Sequence, residues 1–392
     1  MSITIQEIKE LAKKYKSEIQ AYRHYLHAHP ELSFEEINTS NYIKAFLDEH
    51  QIPYTFGWGG TGIVAILTGD LPGIRRAYRA DMDALPIAEV SDKSYKSQVP
   101  GKMHACGHDV HSSSLMGAIL ILNALKSKIS GQIDFIFQPG EEKHPGGASL
   151  LLEEGAFGKT YPEFILGQHV YPSMMAGNVG IRSGQYMASA DELYFTVRGK
   201  GGHAATPHTA VDTILVAAQI ITALQQVISR RNNPISPSVL TIGKINSTGG
   251  ATNIIPDEVK MEGTFRAMDE KWRYEAHEHI KQICELTAKA MGATCEVYIS
   301  VGYPSLINDV PLSDTIKQKM IDYLGKEQVE ELPIRLTAED FSYYTQVMPA
   351  CFYRLGTGNV AEGITSPVHT PTFDIDENAL EVGSGLAAWL LV

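Results

Sequence analysis

Gln132-Ile-Asp-Phe-Ile-Phe-Gln-Pro-Gly-Glu-Glu142 reads as a strand, Gln132–Gln138, stopped by Pro139-Gly140 and followed at once by two carboxylates. Three more strand candidates belong to the same series: Gly62–Leu67, Ile74–Ala80 and Phe164–His169. Helical spacing of apolar residues runs from Ile5 to His27, from Ser40 to His50 and from Asp109 to about Lys126. Strands alternating with helices point to an α/β layer structure with a largely parallel sheet. In such sheets functional groups gather beyond the carboxyl ends of the strands. This chain follows the rule: Asp81 and Asp83 come after Ile74–Ala80, Glu141 and Glu142 after Gln132–Gln138, and His169 closes its own strand.

From about Gly184 the order changes to strand (Ala190–Gly199), helix (Val211–Arg230), strand (Ser238–Ile245), strand (Glu258–Arg266), helix (Asp269–Met291) and strand (Thr294–Val301). That is βαββαβ, a ferredoxin-like succession. Afterwards the α/β pattern resumes, with helices near Leu312–Tyr323 and Ala338–Gln346, a strand at Cys351–Leu355 and a helix at Asn378–Leu391. The expected organisation is therefore a discontinuous α/β domain over residues 1–183 and 303–392, with a mostly parallel mixed sheet flanked by helices. A βαββαβ lid over residues 184–302 interrupts it.

At 392 residues the chain exceeds one comfortable core, in keeping with two domains. Its 33 basic and 45 acidic residues leave a net charge of −12, which argues against nucleic-acid or anionic-membrane partners. Four cysteines in so long a chain give no disulfide framework. The N-terminus is amphipathic and lacks an apolar signal core, and no run approaches the roughly 18 apolar residues of a membrane span. A reducing, cytoplasmic location is the expectation.

Five metal-ligand candidates stand out: Cys106 and His108 in Met103-His-Ala-Cys-Gly-His-Asp-Val-His111, Glu142, His169, and His369 in Pro367-Val-His-Thr-Pro371. Each alone is a weak signal, since single histidines, Cys-x-His and paired glutamates are common. Glu153-Glu154 is discounted on that ground, and His24, His27 and His29 are read as structural. Joint placement at strand ends carries the argument. Cys106 and His108 also precede a long helix, whose first amides favour a thiolate. Pro139-Gly140 ends the strand before Glu141 and Glu142, so one carboxylate can bind a cation while the other reaches a water.

The stretches Leu26-His-Ala-His-Pro-Glu-Leu-Ser-Phe-Glu-Glu36, Arg79-Ala-Asp-Met-Asp-Ala-Leu-Pro86, Met103–Asp109, Gln138–Glu142 and Gly199-Lys-Gly-Gly-His-Ala-Ala-Thr-Pro-His208 resemble those of the hippurate hydrolase and indoleacetyl-amino-acid hydrolase amidohydrolases. These belong to the aminoacylase/carboxypeptidase superfamily of two-metal hydrolases. The resemblance spans nearly the whole chain. It implies two divalent cations per subunit, zinc or manganese first, with cobalt and nickel as alternatives. It implies Cys106 as the bridging ligand, His108 and His169 on one cation, and Glu142 and His369 on the other. Glu141 matches the general base and Asp83 a carboxylate that orients a ligand. Asp81 stands where carboxypeptidase relatives carry a metal-binding His, and is left out of the ligand set.

The same resemblance assigns His203 to polarising the scissile carbonyl, in its own site or a partner's. Asn253 and Arg266 match residues that hold a substrate carboxylate or oxyanion; Arg266 as a plain strand charge is the alternative. The loop containing Gly356 and Thr357 either lines the site or is a simple turn. The implied activity is cleavage of an N-acyl amino acid, N-acetyl by default, by a lid-mediated homodimer. A dipeptidase or aminopeptidase on the same site, a lapsed metal-stabilised binding protein, and a cysteine hydrolase using Cys106 are the competing readings.

Overall fold

The computed structural model describes residues 2–249 and 251–392. The chain opens with three helices, α1 (Ile5–Lys14), α2 (Lys16–Ala28) and α3 (Ile37–Glu49). The continuous helical pattern of Ile5–His27 is thus broken at Tyr15, whose N–H closes α1 on Leu11 and Lys13 carbonyls. Next come strands β1 (Tyr54–Trp58), β2 (Gly62–Thr68) and β3 (Leu71–Asp81), helix α4 (His108–Ala124), strand β4 (Ser130–Gln138), helix α5 (Gly147–Glu153), and strands β5 (Ile165–Met175) and β6 (Val179–Ile181). The chain leaves this unit through β7 (Gly184–Met187).

A second compact unit follows, built from β8 (Asp191–Arg198), β9 (Gly202–His203), α6 (Thr213–Gln226), β10 (Ser238–Ser247), β11 (Ile254–Ile255), β12 (Glu258–Ala267), α7 (Glu270–Ala290) and β13 (Thr294–Val301). After β14 (Leu306–Asn308) the first unit is completed by α8 (Val310–Leu324), β15 (Val329–Glu331), α9 (Ser342–Thr345), β16 (Ala350–Gly358) and α10 (Asn378–Leu390). The first unit comprises the chain up to Gly184, Ile307–Pro333 and Asp340–Val392; the second comprises Gln185–Leu306 and Ile334–Glu339. The short segment Ile334–Glu339 departs from the expected division. It pairs backbone with the second unit, Arg335 N–H donating to Tyr186 O at 2.9 Å and Ala188 N–H to Arg335 O at 3.1 Å.

In the first unit, eight strands form one mixed sheet in the order β1-β2-β4-β3-β5-β16-β6-β15. Its central strands β4, β3, β5 and β16 all run parallel, so their carboxyl ends share one edge. Two strands run further than their sequence patterns suggest. β5 continues to Met175 and β16 to Gly358, with Gly358 opposite Met175 across a register shift. The expected loop at Gly356-Thr357 is therefore strand. Glycine at 356 makes that possible: a Cβ there would stand 2.2 Å from Met175 O.

Helix α4 explains why this sheet is stable. Fifteen of its residues, His108 to Leu122, are buried, and an all-round buried helix needs partners on every side. It packs on β3, β4 and β5 and against α2 and α10. Cutting Ile119, fully buried in this core, to alanine would cost about 2–5 kcal/mol.

The second unit's main sheet is antiparallel, in the order β10-β12-β8-β13, and alternate residues Leu193, Phe195 and Val197 face its core. Helix α6 and the π-helical turn after it, Thr213–Arg231, are long and apolar enough to cross a membrane by length and composition. That differs from the expectation that no run approaches such a span. The apolarity has a local use: Val216, Ala217, Ile220, Leu224 and Val227 belong to this unit's core.

A buried ionic network ties α2 to the start of α4. Arg23 Nε donates to Asp109 Oδ2 at 3.1 Å, and its other nitrogens reach Asp374 at 2.7 Å and Glu377 at 2.8 Å. His27 Nδ1 lies 2.9 Å from the same Asp109 oxygen. Burial disfavours the imidazolium, yet Asp109 and Glu89 hold the His27 pKa up, from 6.5 to about 9. A raised folded-state pKa contributes stability in full below the unfolded value and loses it as pH climbs through the folded one. Thermal stability is therefore expected to fall between about pH 7 and about pH 9.5, as His27 loses its proton in the folded protein. His27→Gln should flatten that slope; equal slopes in the two proteins, read by calorimetry, would reject this origin.

Candidate metal centre

Backbone conformation delivers the ligands. Gly107, with φ +84°, caps α4, and a Cβ on it would stand 2.6 Å from Val170 Cγ2. Only glycine lets Cys106 and His108 approach the end of β5 this closely. His369 is itself a non-glycine residue in the left-handed region, φ 62°. Its N–H donates to Ala105 O at 2.7 Å, which fixes it over the Cys106 segment.

Donor atoms converge accordingly. Cys106 Sγ lies 3.4 Å from His169 Nε2 and 3.3 Å from His369 Nε2. His369 Nε2 stands 3.1 Å from Glu142 Oε1. The result is two triads, Cys106–His108–His169 and Cys106–Glu142–His369, that share one sulfur. The five ligand candidates from the sequence are thus brought together, from positions 263 residues apart in the extreme pair. Glu141, buried, joins His108 and Glu142 in a third overlapping group.

The rings are held from behind. His108 Nδ1 lies 3.1 Å from Asp83 Oδ1, which leaves Nε2 buried without a hydrogen bond. His169 Nδ1 donates to Val170 O at 2.8 Å, which leaves its Nε2 lone pair facing Cys106. Such backing hydrogen bonds set the tautomer of metal-binding imidazoles. Asp83 Oδ2 in turn accepts from Ser33 Oγ at 2.7 Å and from Glu142 N–H at 3.0 Å.

Asp81 is engaged elsewhere. It accepts from Arg79 at 2.7 Å and lies 2.6 Å from His111 Nδ1. His111 Nε2 accepts the Val170 N–H at 2.9 Å, so both of its nitrogens are used. Asp81 thus braces His111 by a hydrogen bond, and its other oxygen stands 3.6 Å from His108 Nε2. Sequence reasoning missed His111, Arg79 and Asp340. The i,i+3 spacing from His108 to His111 on one helix face was the available signal for the first. Asp340 carried none: its carboxylate accepts from Arg79 at 2.7 Å and from Gln138 at 2.7 Å, while its N–H points to Glu141 Oε1 at 3.4 Å.

Electrostatics test whether cations fit. Burial, then Glu142, Glu141 and Asp81, push the Cys106 thiol far up. Burial works against a charged His108, yet Asp81 and Asp83 hold it up to about 10. Burial, reinforced by Arg354 and His111, keeps His169 well below the usual imidazole value, neutral and able to ligate. Lone pairs and negative charge thus accumulate around the donor cluster, beyond what the Arg79–Asp81 ion pair offsets. A divalent cation reverses that logic, and mixed N, S and O donors are a zinc-type set.

The remaining candidates lie on other elements. Gly356 and Thr357 sit at the carboxyl end of β16, with Gly356 opposite Tyr171, two residues past His169 on β5. His203, Asn253 and Arg266 belong to the second unit. There β9 pairs with β11, placing His203 opposite Ile254, and Ala204 N–H donates to Asn253 O at 2.9 Å. His203 Nδ1 accepts the Ala205 N–H at 3.1 Å, so its proton sits on Nε2. Arg266 lies on β12, half-buried, with no ion pair among the described residues, and burial lowers its pKa.

Asp83→Asn is expected to lower metal affinity by about tenfold to a hundredfold, because the amide no longer holds His108 as a strong acceptor does. Competition against a chromogenic chelator measures this; unchanged affinity would remove Asp83 from its backing role.

Comparison with known proteins identifies the family. Residues 77–391 match the model of peptidase family M20/M25/M40. The chain is 37% identical over 391 residues to thermostable carboxypeptidase 2 of Saccharolobus solfataricus, covering 99% of this chain and 98% of the relative. It is 36% identical over 383 residues to an N-acetylcysteine deacetylase of Bacillus subtilis, covering 97% of each. The crystal structure of the Bacillus subtilis YXEP protein, described as a dinuclear metal binding peptidase, superposes with a TM-score of 0.84 at 33% identity, over 97% of this chain and 98% of that one. The chain belongs to peptidase family M20/M25/M40 and is a metal-dependent hydrolase of that family.

Proposed function

We propose that this enzyme cleaves N-acyl amino acids, N-acetyl amino acids first, into a carboxylate and a free amino acid. The observation that carries the reading is the pair of ligand triads sharing Cys106, with the buried carboxylate of Glu141 beside them. Cys106, His108 and His169 would hold one divalent cation, and Cys106, Glu142 and His369 the other, zinc or manganese. Two cations so held would supply Lewis acidity and lower the pKa of water from 15.7 towards about 7.

Glu141 takes the proton of the attacking water and passes it to the leaving nitrogen, work worth about 10²–10⁴ in rate. His203, protonated at Nε2, donates to the carbonyl oxygen as it becomes an oxyanion, a contribution of about 3–4 kcal/mol. Arg266 and Asn253 grip the substrate carboxylate; an unpaired, half-buried guanidinium is suited to a two-pronged carboxylate. Asp83 keeps His108 oriented, and Gly356 and Thr357 line the acyl end.

The second unit serves in this reading as a ferredoxin-like lid, supported by its strand order β13-β8-β12-β10. It also joins two copies in a cytoplasmic homodimer. Exposed Ile214, Leu215 and Ile245, the last on edge strand β10, support that contact. A monomer in sedimentation at assay concentrations would refute it.

A second reading, peptide hydrolysis, is favoured by the likeness to a carboxypeptidase. Both reactions release an amino acid that keeps its carboxylate. A panel of N-acetyl and N-benzoyl amino acids against matching dipeptides, with zinc- or manganese-loaded protein, separates them. Glu141→Gln should bind metal as the parent does yet lose about 10²–10⁴ in kcat. Near-normal turnover in that variant would refute Glu141 as the base.

A further inference from the structure

The stretch Glu31-Leu-Ser-Phe-Glu-Glu36 lies between α2 and α3 and contributes no ligand candidate, yet its side chains reach the catalytic turn. Phe34 has φ 67°, a conformation an aromatic residue adopts only under constraint. Its ring covers Gly140: a Cβ at that glycine would stand 2.3 Å from Phe34 Cε1. Glu36, fully buried, accepts from Gly140 N–H at 2.8 Å and Phe34 N–H at 2.9 Å through one oxygen. Its other oxygen accepts from Thr61 Oγ1 at 2.9 Å. Ser33 Oγ meanwhile holds Asp83 Oδ2, the oxygen that receives the Glu142 N–H.

The two amides flanking Glu141 are therefore each pinned by a buried carboxylate. Gly140 N–H is held by Glu36, and Glu142 N–H by Asp83. The same hexapeptide supplies the first carboxylate and anchors the second. A buried carboxylate with no cation partner is costly. Glu36 spends its acceptors on the turn, the strained Phe34 and one hydroxyl. Fixing both neighbours of Glu141 leaves that side chain few orientations. That is what general-base geometry requires, because a displacement of about 1 Å can cost on the order of a hundredfold in rate.

We infer that Glu36 is a positioning residue that fixes the Pro139–Glu142 turn and thereby aims Glu141 at the attacking water. This rests on the reading of Glu141 as the base, and the test separates the two. Glu36→Ala, loaded with zinc or manganese and assayed on N-acetyl-L-methionine, should lose about tenfold to a hundredfold in kcat, with KM and metal content changed by less than about threefold. Glu36→Gln keeps an oxygen for Gly140 and can donate to Thr61, so it should stay within about threefold of the parent. Amide exchange over residues 138–143 should quicken in the Ala variant and not in the Gln variant, a readout that needs no turnover.

Unchanged kcat and unchanged exchange in Glu36→Ala would overturn the inference. So would a Gln variant as impaired as the Ala variant, or a loss that follows metal content. Should Glu36→Ala fail to fold, Thr61→Val, which removes one donor to Glu36, should show the same kcat-only loss on a smaller scale and faster exchange. Unchanged exchange there would be equally decisive against it. An active Glu141→Gln would sink the base assignment, while an inert one beside a normal Glu36→Ala would sink only the brace.

Discussion

Uncompensated negative charge at the carboxyl edge of four parallel strands is the constraint that organises this protein. Asp81, Asp83 and Glu141 are all at most 7% exposed, and the Cys106 sulfur lies among them. Arg79 is the cation built into that layer, and its hydrogen bonds are given to Asp81, Asp340 and Gln138. What remains must be met by protons or by metal. Burial and the surrounding carboxylates favour a protonated Cys106, and Asp81 and Asp83 favour a protonated His108 against the effect of its burial. Metal binding should consequently release protons and couple to folding. The apolar packing of α4 on β3, β4 and β5 is what keeps the strand ends in register against that repulsion.

How much of this was legible in the sequence depends on range. Cys106, His108, Glu141 and Glu142 were readable because each sits within a few residues of a local signal, a helix start or a Pro-Gly stop. The βαββαβ succession was equally local, strand by strand. The partners of Arg23 and Arg79 were not readable. Asp109, Asp374 and Asp340 lie 86, 351 and 261 residues away from them, and no periodicity reports such a pairing. Boundaries failed where tertiary contacts override local preference. Gly356 and Gly358 looked like turn formers but are the glycines that let β16 approach β5. The helix expected over Val211–Arg230 is observed as α6 continued by a π-helical turn to Arg231, and its interspersed polar residues hid how nearly it reaches a membrane-length apolar segment.

Strain is distributed in the same way as function. Among the described residues, three non-glycine residues have positive φ: Phe34, Gln51 and His369. Gln51 has an ordinary explanation, since it follows His50, the cap of α3, and its amide closes on Asp48 O at 3.1 Å, a left-handed helix ending. Phe34 and His369 end no helix. One presses its ring on Gly140 beside Glu141, and the other delivers Nε2 to both Cys106 and Glu142. Each such conformation costs on the order of 1–3 kcal/mol, a cost that only an over-determined surrounding can maintain.

That surrounding is identifiable. His369 is fixed by its amide on Ala105 O, and Phe34 by its amide on the buried Glu36. Both anchors are made within the protein, a main-chain carbonyl for His369 and a buried carboxylate for Phe34. A pre-formed site binds its cations without ordering the chain at that moment. The contacts that hold the two unfavourable backbone conformations also place Phe34 against Gly140 and His369 against Cys106.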